Sequence, residues 1–427
     1  MSDFSGAPAV GDVPDTRLAR RLGFGDAVMI GLGAMIGAGV FAVFAPAAEV
    51  AGSGLLIGLV LAAVVAACNA WSSARLAAVH PRSGGTYVYG REQLGPFWGF
   101  LAGWGFVVGK TASCAAMALT VGAYAWPGRE KFVAVAAVVA LVAVNYRGVH
   151  KTALATRVIV ALVLAALAVV VVGALAGGSV RAEHLTDWSG GDGVRGTLQS
   201  AGLLFFAFAG YARLATLGEE VVDPPRTIPR AIPVALAITL VVYAVVAVAV
   251  LAALGPDRLA EASAPLDAAV RAGSLDALSP AVRVGGALGA LGVLLSLVAA
   301  IGRTIFAMSE HGEMPRVLRA VHPRHRVPHR AEVTVGAVVA AVVVVGDVRG
   351  AIGFSAFAVL LYYAVTNASA WTLRTDSRRF GRTMAASGLF GCLLLAFTLP
   401  VQSVVRGSVV LLMGAVWWVA RSGPLRR

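Results

Sequence analysis

Glycine is concentrated in residues 31–41, GLGAMIGAGVF, where it occupies positions 31, 33, 37 and 39 of an apolar segment. Each glycine weakens a helix by about 1 kcal/mol relative to alanine, so the cluster needs a reason. Three explanations fit the spacing. GxGxxxG is close to a dinucleotide-binding fingerprint, a GxxxG pair lets membrane helices approach closely, and glycine also lets a helix unwind. Unwinding exposes backbone N–H and C=O groups that can bind a ligand.

The three explanations make different demands on the rest of the chain. A dinucleotide site needs a strand before the glycines and a parallel sheet around them, and this sequence does not alternate strands with amphipathic helices. Close packing and unwinding can both hold for the same residues. Of these two, only unwinding predicts a ligand-binding site, because the freed N–H groups at the start of a half-helix suit a carboxylate.

A second candidate interruption lies in residues 203–220, LLFFAFAGYARLATLGEE, where Gly210 follows an aromatic run. Transporters with broken helices carry them at corresponding positions of two inverted halves, and bind their substrate between the breaks. This segment is the sixth apolar one and residues 31–41 lie in the first, as two repeats of five helices require. The pattern therefore predicts a substrate site where segments one and six meet.

Lys110 and Arg213 are cations inside apolar segments. A cation at the bilayer centre costs about 3 kcal/mol on insertion scales. We interpret Lys110, in FVVGKTASC, as an amine that carries a proton or replaces a cation; the alternatives are a static ion pair and a residue that faces water. Arg213 stays charged, so we expect it to pair with a nearby acid or to contact substrate. Glu220 is a candidate inner gate that pairs with an arginine such as Arg82 or Arg91, unless it lies in an ordinary solvated turn.

Composition assigns the chain to the membrane. Of its 427 residues, 58% are hydrophobic and 13% charged, against about 25% charged in soluble domains. The net charge of +13 follows from basic loops on one side of the membrane rather than from nucleic-acid binding. No cysteine or ordered acid completes a metal site with the histidines of the loop 311–330, and we expect neither a metal nor a cofactor.

The hydropathy pattern predicts an all-α protein with about twelve membrane helices of ~20 residues each. We place them at 25–48, 54–79, 96–125, 131–147, 153–176, 196–218, 232–254, 281–308, 332–346, 350–373, 384–400 and 404–420. Lys and Arg are concentrated on the loops that share a side with both termini. That bias predicts a multi-pass protein of the cytoplasmic membrane with both termini in the cytoplasm.

Four motifs in this order and spacing resemble the amino acid–polyamine–organocation permeases. They are GAMIGAGVF (33–41), PRSGGTYVYGREQLGPFWGFLAGW (81–104), FFAFAGYARLATLGEEVVDPPRTIPRAI (205–232) and GRTIFAMSEHGEMP (302–315). The resemblance implies a LeuT-like fold, in which helices 1 and 6 of two inverted five-helix repeats are broken. It divides the chain into a tail (1–24), a first repeat (25–176), a second repeat (177–373) and two additional helices (374–427).

The resemblance also implies how an amino acid would bind. Its carboxylate would meet backbone N–H groups around Gly37, Ala38 and Gly39, and its ammonium would meet carbonyls around Phe206 and Ala209. Phe206 matches an aromatic position that covers substrate. The candidate substrate-binding residues are Ile36, Gly37, Ala38, Gly39, Phe206, Ala209, Gly210 and Tyr211; the candidate coupling or gating residues are Lys110, Arg213 and Glu220.

We therefore expect secondary active transport of amino acids, coupled to protons rather than to sodium. Two departures from relatives bear on coupling: segment five has Arg157 near its end but no lysine, and Ala212 stands where some relatives have an acid. The alternatives are an exchanger of amino acids, amines or polyamines, a non-transporting amino acid sensor, and a membrane enzyme. An enzyme is not expected, since no nucleophile–base or metal cluster falls inside the bilayer. The expected partners are a small-molecule substrate and the lipid bilayer.

Overall fold

The computed structural model describes residues 22–37, 39–80, 84–148, 153–176, 180–187, 191–215, 221–373 and 378–422. These residues are overwhelmingly helical. The helices before residue 180 are α1 (Phe24–Met35), α2 (Gly39–Ala42), α3 (Phe44–Ala51), α4 (Leu55–Val79), α5 (Thr86–Leu94), α6 (Pro96–Ala125), α7 (Glu130–Tyr146) and α8 (Ala153–Leu175). Those after it are α9 (Gly193–Phe208), α10 (Ala212–Ala215), α11 (Pro224–Glu261), α12 (Pro265–Ala272), α13 (Ser279–Glu310), α14 (His329–Val345), α15 (Val348–Trp371), α16 (Arg378–Thr398) and α17 (Val401–Ser422).

Each predicted apolar segment coincides with a helix or with consecutive helices. The largest difference in helix bounds is at α11, which was predicted to begin at residue 232 and begins at Pro224. Proline is compatible with this start, since it is tolerated in the first turn of a helix. α11 also continues past a kink at Gly255, whose φ of 73° only glycine adopts readily. The short helices α5 and α12 lie between membrane segments and were not predicted.

Nine stretches of the described residues are long and apolar enough to cross a membrane. The helices at the predicted fourth, sixth and ninth positions are shorter, with 17 residues in α7, 16 in α9 and 17 in α14. The figure of twelve membrane helices and the domain boundaries therefore stay predictions.

Both predicted interruptions are present. The first segment is divided into α1, α2 and α3, and the sixth into α9 and α10, which are separated by the 3₁₀ turn Ala209–Tyr211. A helix that stops in the middle of an apolar segment leaves backbone groups without helical partners. The prediction that helices 1 and 6 are broken is confirmed.

The two interruptions lie inside a bundle whose centre is α6. Over its apolar 18-residue stretch α6 is 89% buried, whereas the corresponding stretch of α17 is 17% buried. Glycines allow α6 to approach its neighbours: a Cβ on Gly109 would lie 2.9 Å from Cβ of Ala358 in α15. At the other end of α6, the ring of Tyr124 contacts Gly286 of α13. α6 therefore forms a wall beside the breaks.

The start of α1 is fastened to two other parts of the chain. The backbone N–H of Val222 donates to the carbonyl of Leu22 at 2.9 Å, and the Asp26 carboxylate forms an ion pair with Arg157 of α8. These contacts hold the first half-helix at one end of the bundle, the end that the charge pattern predicts to face the cytoplasm.

Candidate substrate site at the two helix breaks

The first break follows α1. Ile36 ends the helical hydrogen bonding, with its N–H 2.7 Å from the carbonyl of Leu32, and Gly37 continues into a turn. A Cβ on Gly37 would lie 2.3 Å from Val293 Cγ2, and one on Gly39 would lie 2.6 Å from Cα of Ala207. Glycine is therefore required here for close approach as well as for unwinding. Ala38 lies outside the described residues.

The second break presses directly on the first. A Cβ on Gly210 would lie 2.2 Å from the carbonyl oxygen of Ala34 and 2.7 Å from the backbone nitrogen of Met35. Both neighbours are main-chain atoms, so they have no rotamer by which to move away. The backbones of the two interrupted helices are in contact at this point, and the predicted residues Gly39 and Gly210 each lie against the other segment.

Tyrosine hydroxyls donate to the carbonyls that the interruptions expose. The hydroxyl of Tyr243 in α11 lies 2.6 Å from the carbonyl oxygen of Met35 and 3.2 Å from that of Ala207, so its one proton is shared, mainly with Met35, between the two broken helices. Tyr363 of α15 donates to the carbonyl of Ala209 at 3.2 Å. These hydrogen bonds satisfy backbone groups that lipid cannot satisfy.

A third tyrosine supports the half-helix beyond the first break. Tyr124 of α6 donates to the carbonyl of Phe41 at 2.8 Å, and its ring meets the Phe41 ring edge to face. All three tyrosines were missed by the sequence analysis. The available signal was a tyrosine inside an apolar segment, since a buried hydroxyl needs a partner.

Aromatic rings enclose the second break. Tyr211 stacks on Tyr363 with ring centroids 5.0 Å apart, and Phe205 meets Tyr363 edge to face at 5.7 Å. Phe206 is 9% exposed, whereas Phe205 is fully buried. Phe206 thus retains some accessibility, as a residue that covers a ligand requires.

Lys110 is buried near the midpoint of α6 and is 8% exposed. Gly103, seven residues before Lys110, lies against α13: a Cβ on Gly103 would be 3.0 Å from the sulfur of Met308. Tyr124, fourteen residues after Lys110, contacts Gly286 of the same helix. Lys110 is two turns from Gly103 and therefore lies on the face of α6 that follows α13. Within the described residues, Lys110 forms neither an ion pair nor a hydrogen bond, so it is not a static salt-bridge partner there.

The other predicted gating residues are less defined. Arg213 is half-buried in α10, and Glu220 and Arg82 lie outside the described residues. Arg91, proposed as a partner for Glu220, forms an ion pair with Glu313, which also accepts a hydrogen bond from the Tyr87 hydroxyl at 2.7 Å.

This Glu313 cluster joins α5 to the end of α13 and was missed, although Glu313 is part of the fourth motif. Burial, and next the Glu313 carboxylate, raise the pKa of Tyr87, so that its hydroxyl remains a donor. The cluster therefore fixes α5 against the end of α13, at the end of the bundle that the charge pattern predicts to face the cytoplasm.

Comparison with known proteins agrees with this architecture. An uncharacterized transporter of Mycobacterium tuberculosis is 61% identical over 416 residues, which cover 97% of this chain and 94% of that protein. The branched-chain amino acid permease BcaP of Bacillus subtilis is 25% identical over 93% of this chain and 92% of its own length. The solved structure of MhsT in complex with L-phenylalanine matches with a TM-score of 0.64 at 14% identity, and covers 94% of this chain and 99% of that one.

The MhsT likeness confirms the LeuT-like fold. The family and the relatives are membrane transporters of small molecules rather than enzymes, which answers the enzyme alternative. The model of the amino acid permease family matches residues 22–420, and the chain belongs to that family.

Proposed function

We propose that this protein carries amino acids across the cytoplasmic membrane by alternating access, driven by protons, with both termini in the cytoplasm. The observation that carries the proposal is the contact between the two helix breaks, where Gly210 lies against the backbone of Ala34 and Met35. Main-chain donors and acceptors at one depth suit a ligand that has both a carboxylate and an ammonium group.

The binding mode follows from the polarity of the two breaks. The substrate carboxylate binds at the N–H groups of Gly37 to Gly39, where the next half-helix begins. The ammonium group binds at carbonyls around Phe206 and Ala209. The carbonyl of Ala209 already accepts one hydrogen bond from Tyr363, and a carbonyl oxygen has a second lone pair for the substrate.

We propose a neutral amino acid with an apolar side chain as the substrate. The support is the aliphatic and aromatic side chains at and beside the breaks, Ile36, Phe206 and Val293, together with a buried cation at Lys110 that disfavours cationic side chains. The names of BcaP and of the MhsT complex mention branched-chain amino acids and phenylalanine, which agree with this class.

Lys110 is the proposed coupling group. A buried amine without a carboxylate partner can bind and release a proton as water reaches it from one side or the other. Its place on the face of α6 that follows α13 lets helix movements at the site change its surroundings. The arginines cannot take this role, because guanidinium does not lose its proton.

The test is uptake into proteoliposomes that contain the purified protein. A pH gradient, acidic outside, is expected to drive accumulation of a branched-chain or aromatic amino acid. Lys110→Gln is expected to abolish accumulation driven by the gradient but to retain counterflow, because exchange of substrate needs no net proton movement. Lys131→Gln, which changes an exposed lysine of α7, is the matched control and is expected to behave as wild type.

Each result decides one part of the proposal. Retained gradient-driven uptake in Lys110→Gln would remove Lys110 from coupling. Uptake that requires substrate on the other side and ignores the gradient would identify an exchanger. Binding of amino acids without any flux would identify a sensor and overturn transport.

A further inference from the structure

A groove on the outer surface of the bundle has no role in the site at the breaks. It runs between α7 and α14 and encloses about 540 Å³. Its walls are aliphatic and small: Val138, Val139, Val142, Ala143, Val333, Gly336, Ala337 and Ala340. Tyr146, Arg147 and His325 close one end. We call it the α7–α14 groove.

The groove opens on the outer surface of the bundle rather than into its interior. α7 and α14 meet at Gly336, where a Cβ would lie 2.5 Å from Val142 Cγ2. Away from this contact the side chains point outward: Val139 is 61% exposed and Val333 is 47% exposed. An apolar channel open to lipid has the shape and chemistry to hold an acyl chain.

The closed end of the groove is basic. Arg147 is exposed at the end of α7, and His325 lies against the ring of Tyr146 with centroids 6.3 Å apart. α14, a helix of 17 residues, begins at the same end and directs its first N–H groups there. The acid in the first turn of α14, Glu332, is buried against Gly302 of α13 and does not neutralise this end.

The neighbouring charges favour an anion rather than a metal ion. Desolvation, followed by the charges of His322, Arg324 and Arg147, lowers the pKa of His325. A negative ligand would oppose the effect of those charges. The Nδ1 atom of His322 accepts the backbone N–H groups of Arg324 and His325, at 3.2 and 3.1 Å, and so is not available as a metal ligand.

We propose that the α7–α14 groove binds an anionic glycerophospholipid, with one acyl chain between the helices and the headgroup phosphate at Arg147 and His325. Basic pockets between membrane helices are a recurrent way to recognise anionic headgroups. The proposal is independent of the transported substrate, because the groove is separated from the breaks by the packed bundle.

The experiment measures lipid binding to the purified full-length protein in detergent, by native mass spectrometry and by thermal unfolding. The probes are phosphatidylglycerol and phosphatidylcholine with the same acyl chains. Phosphatidylglycerol is expected to bind more tightly and to raise the unfolding temperature more. Arg147→Gln is expected to weaken phosphatidylglycerol binding by about fivefold, the effect of one cation near a charged lipid surface. Phosphatidylcholine binding should change little.

Two further variants keep the proposal open to refutation. Arg316→Gln removes an exposed arginine from the loop between α13 and α14, and is expected to leave the lipid preference unchanged. Ala337→Trp fills the groove at an exposed position and is expected to weaken both lipids. Equal binding of the two lipids, an unchanged preference in Arg147→Gln, or the same stabilisation by inorganic phosphate alone would each overturn the proposal.

Discussion

The hydroxyl of Tyr243 and the amine of Lys110 are both buried near the midpoint of a membrane helix, but their surroundings differ. Tyr243 reaches two carbonyls, one in each broken segment. The Lys110 side chain has no hydrogen-bond or ion-pair partner among the described residues. Its helix, α6, is the most buried of the described helices that are long and apolar enough to cross a membrane. The Tyr243 hydroxyl is hydrogen-bonded to main-chain carbonyls, and the Lys110 amine has no such partner in the part of the chain that the structure describes.

This difference separates a structural role from a functional one. A hydroxyl that satisfies freed carbonyls stabilises the breaks and keeps them in one geometry. A buried amine without a hydrogen-bond or ion-pair partner lowers the stability of the fold. Its presence is explained if its protonation state changes during the transport cycle. The bundle therefore contains a fixed polar scaffold at Tyr243 and, under the proposed function, a group at Lys110 that changes charge.

The largest effect is expected from Gly210→Val, which disrupts the contact between the two broken segments that the Tyr243 hydroxyl joins. A Cβ would come within 2.2 Å of the Ala34 carbonyl oxygen, so the two segments must separate. We expect a loss of about 3 kcal/mol or more in stability and complete loss of substrate binding. Thermal unfolding and ligand-induced stabilisation in detergent measure the two effects.

Gly105→Ala is the matched control for this substitution. Gly105 is a buried helical glycine of α6 where a Cβ would lie 3.6 Å from its nearest neighbours, an ordinary contact. It should unfold within about 1 kcal/mol of wild type. A Gly210→Val protein that binds amino acids normally would show that the site lies elsewhere.

The second effect has the opposite sign. Lys110→Met replaces an amine by an apolar side chain of similar length in a buried position. We expect the variant to be more stable by roughly 1–3 kcal/mol, because the cost of burying the amine disappears. It should also lose proton-driven uptake. A protein that unfolds at a lower temperature than wild type would mean that Lys110 has a stabilising partner, and the contrast with Tyr243 would fail.

Tyr243→Phe is expected to destabilise by about 0.6–1.7 kcal/mol, since hydrogen bonds in membrane bundles average about 0.6 kcal/mol and reach about 1.7 at most. The loss should exceed that in Tyr363→Phe, which removes a donor to one carbonyl rather than two. Thermal unfolding of both variants checks the order. Equal losses would indicate that the longer contact of Tyr243 with Ala207, at 3.2 Å, contributes nothing.

Much of the fold could be predicted because hydropathy and glycine placement act locally along the chain. The extents of α6 and of α8 and the interruptions at Gly37 and Gly210 follow from residue type and spacing. The partners of the breaks could not be predicted in this way. Tyr243 lies more than thirty residues from Gly210, and only the packing of α11 against α1 and α9 brings its hydroxyl to the carbonyls.

The same limit explains the gating residues. Charge alone suggested that Arg91 could pair with Glu220. The structure pairs Arg91 with Glu313, and the role of Glu220, which lies outside the described residues, stays a prediction. Glu313 is 222 residues away from Arg91 in the chain, and nothing in the local sequence connects the two. The predicted substrate contacts at Ile36, Gly37 and Phe206 remain predictions, because no ligand tests them.

The smallest effect concerns Ser113, three residues after Lys110 on α6. Its hydroxyl lies 2.6 Å from that of Ser355 on α15, and both residues are buried. Ser113→Ala removes a matched hydrogen bond and leaves one buried hydroxyl alone, so we expect a loss of about 0.6 kcal/mol. Ser113→Ala combined with Ser355→Ala should recover part of that loss, because neither polar group is then unpaired. Thermal unfolding of the four proteins in the cycle measures the coupling. A double variant less stable than either single one would mean that the two hydroxyls are satisfied independently, and that α6 has no matched polar contact beside its unmatched lysine.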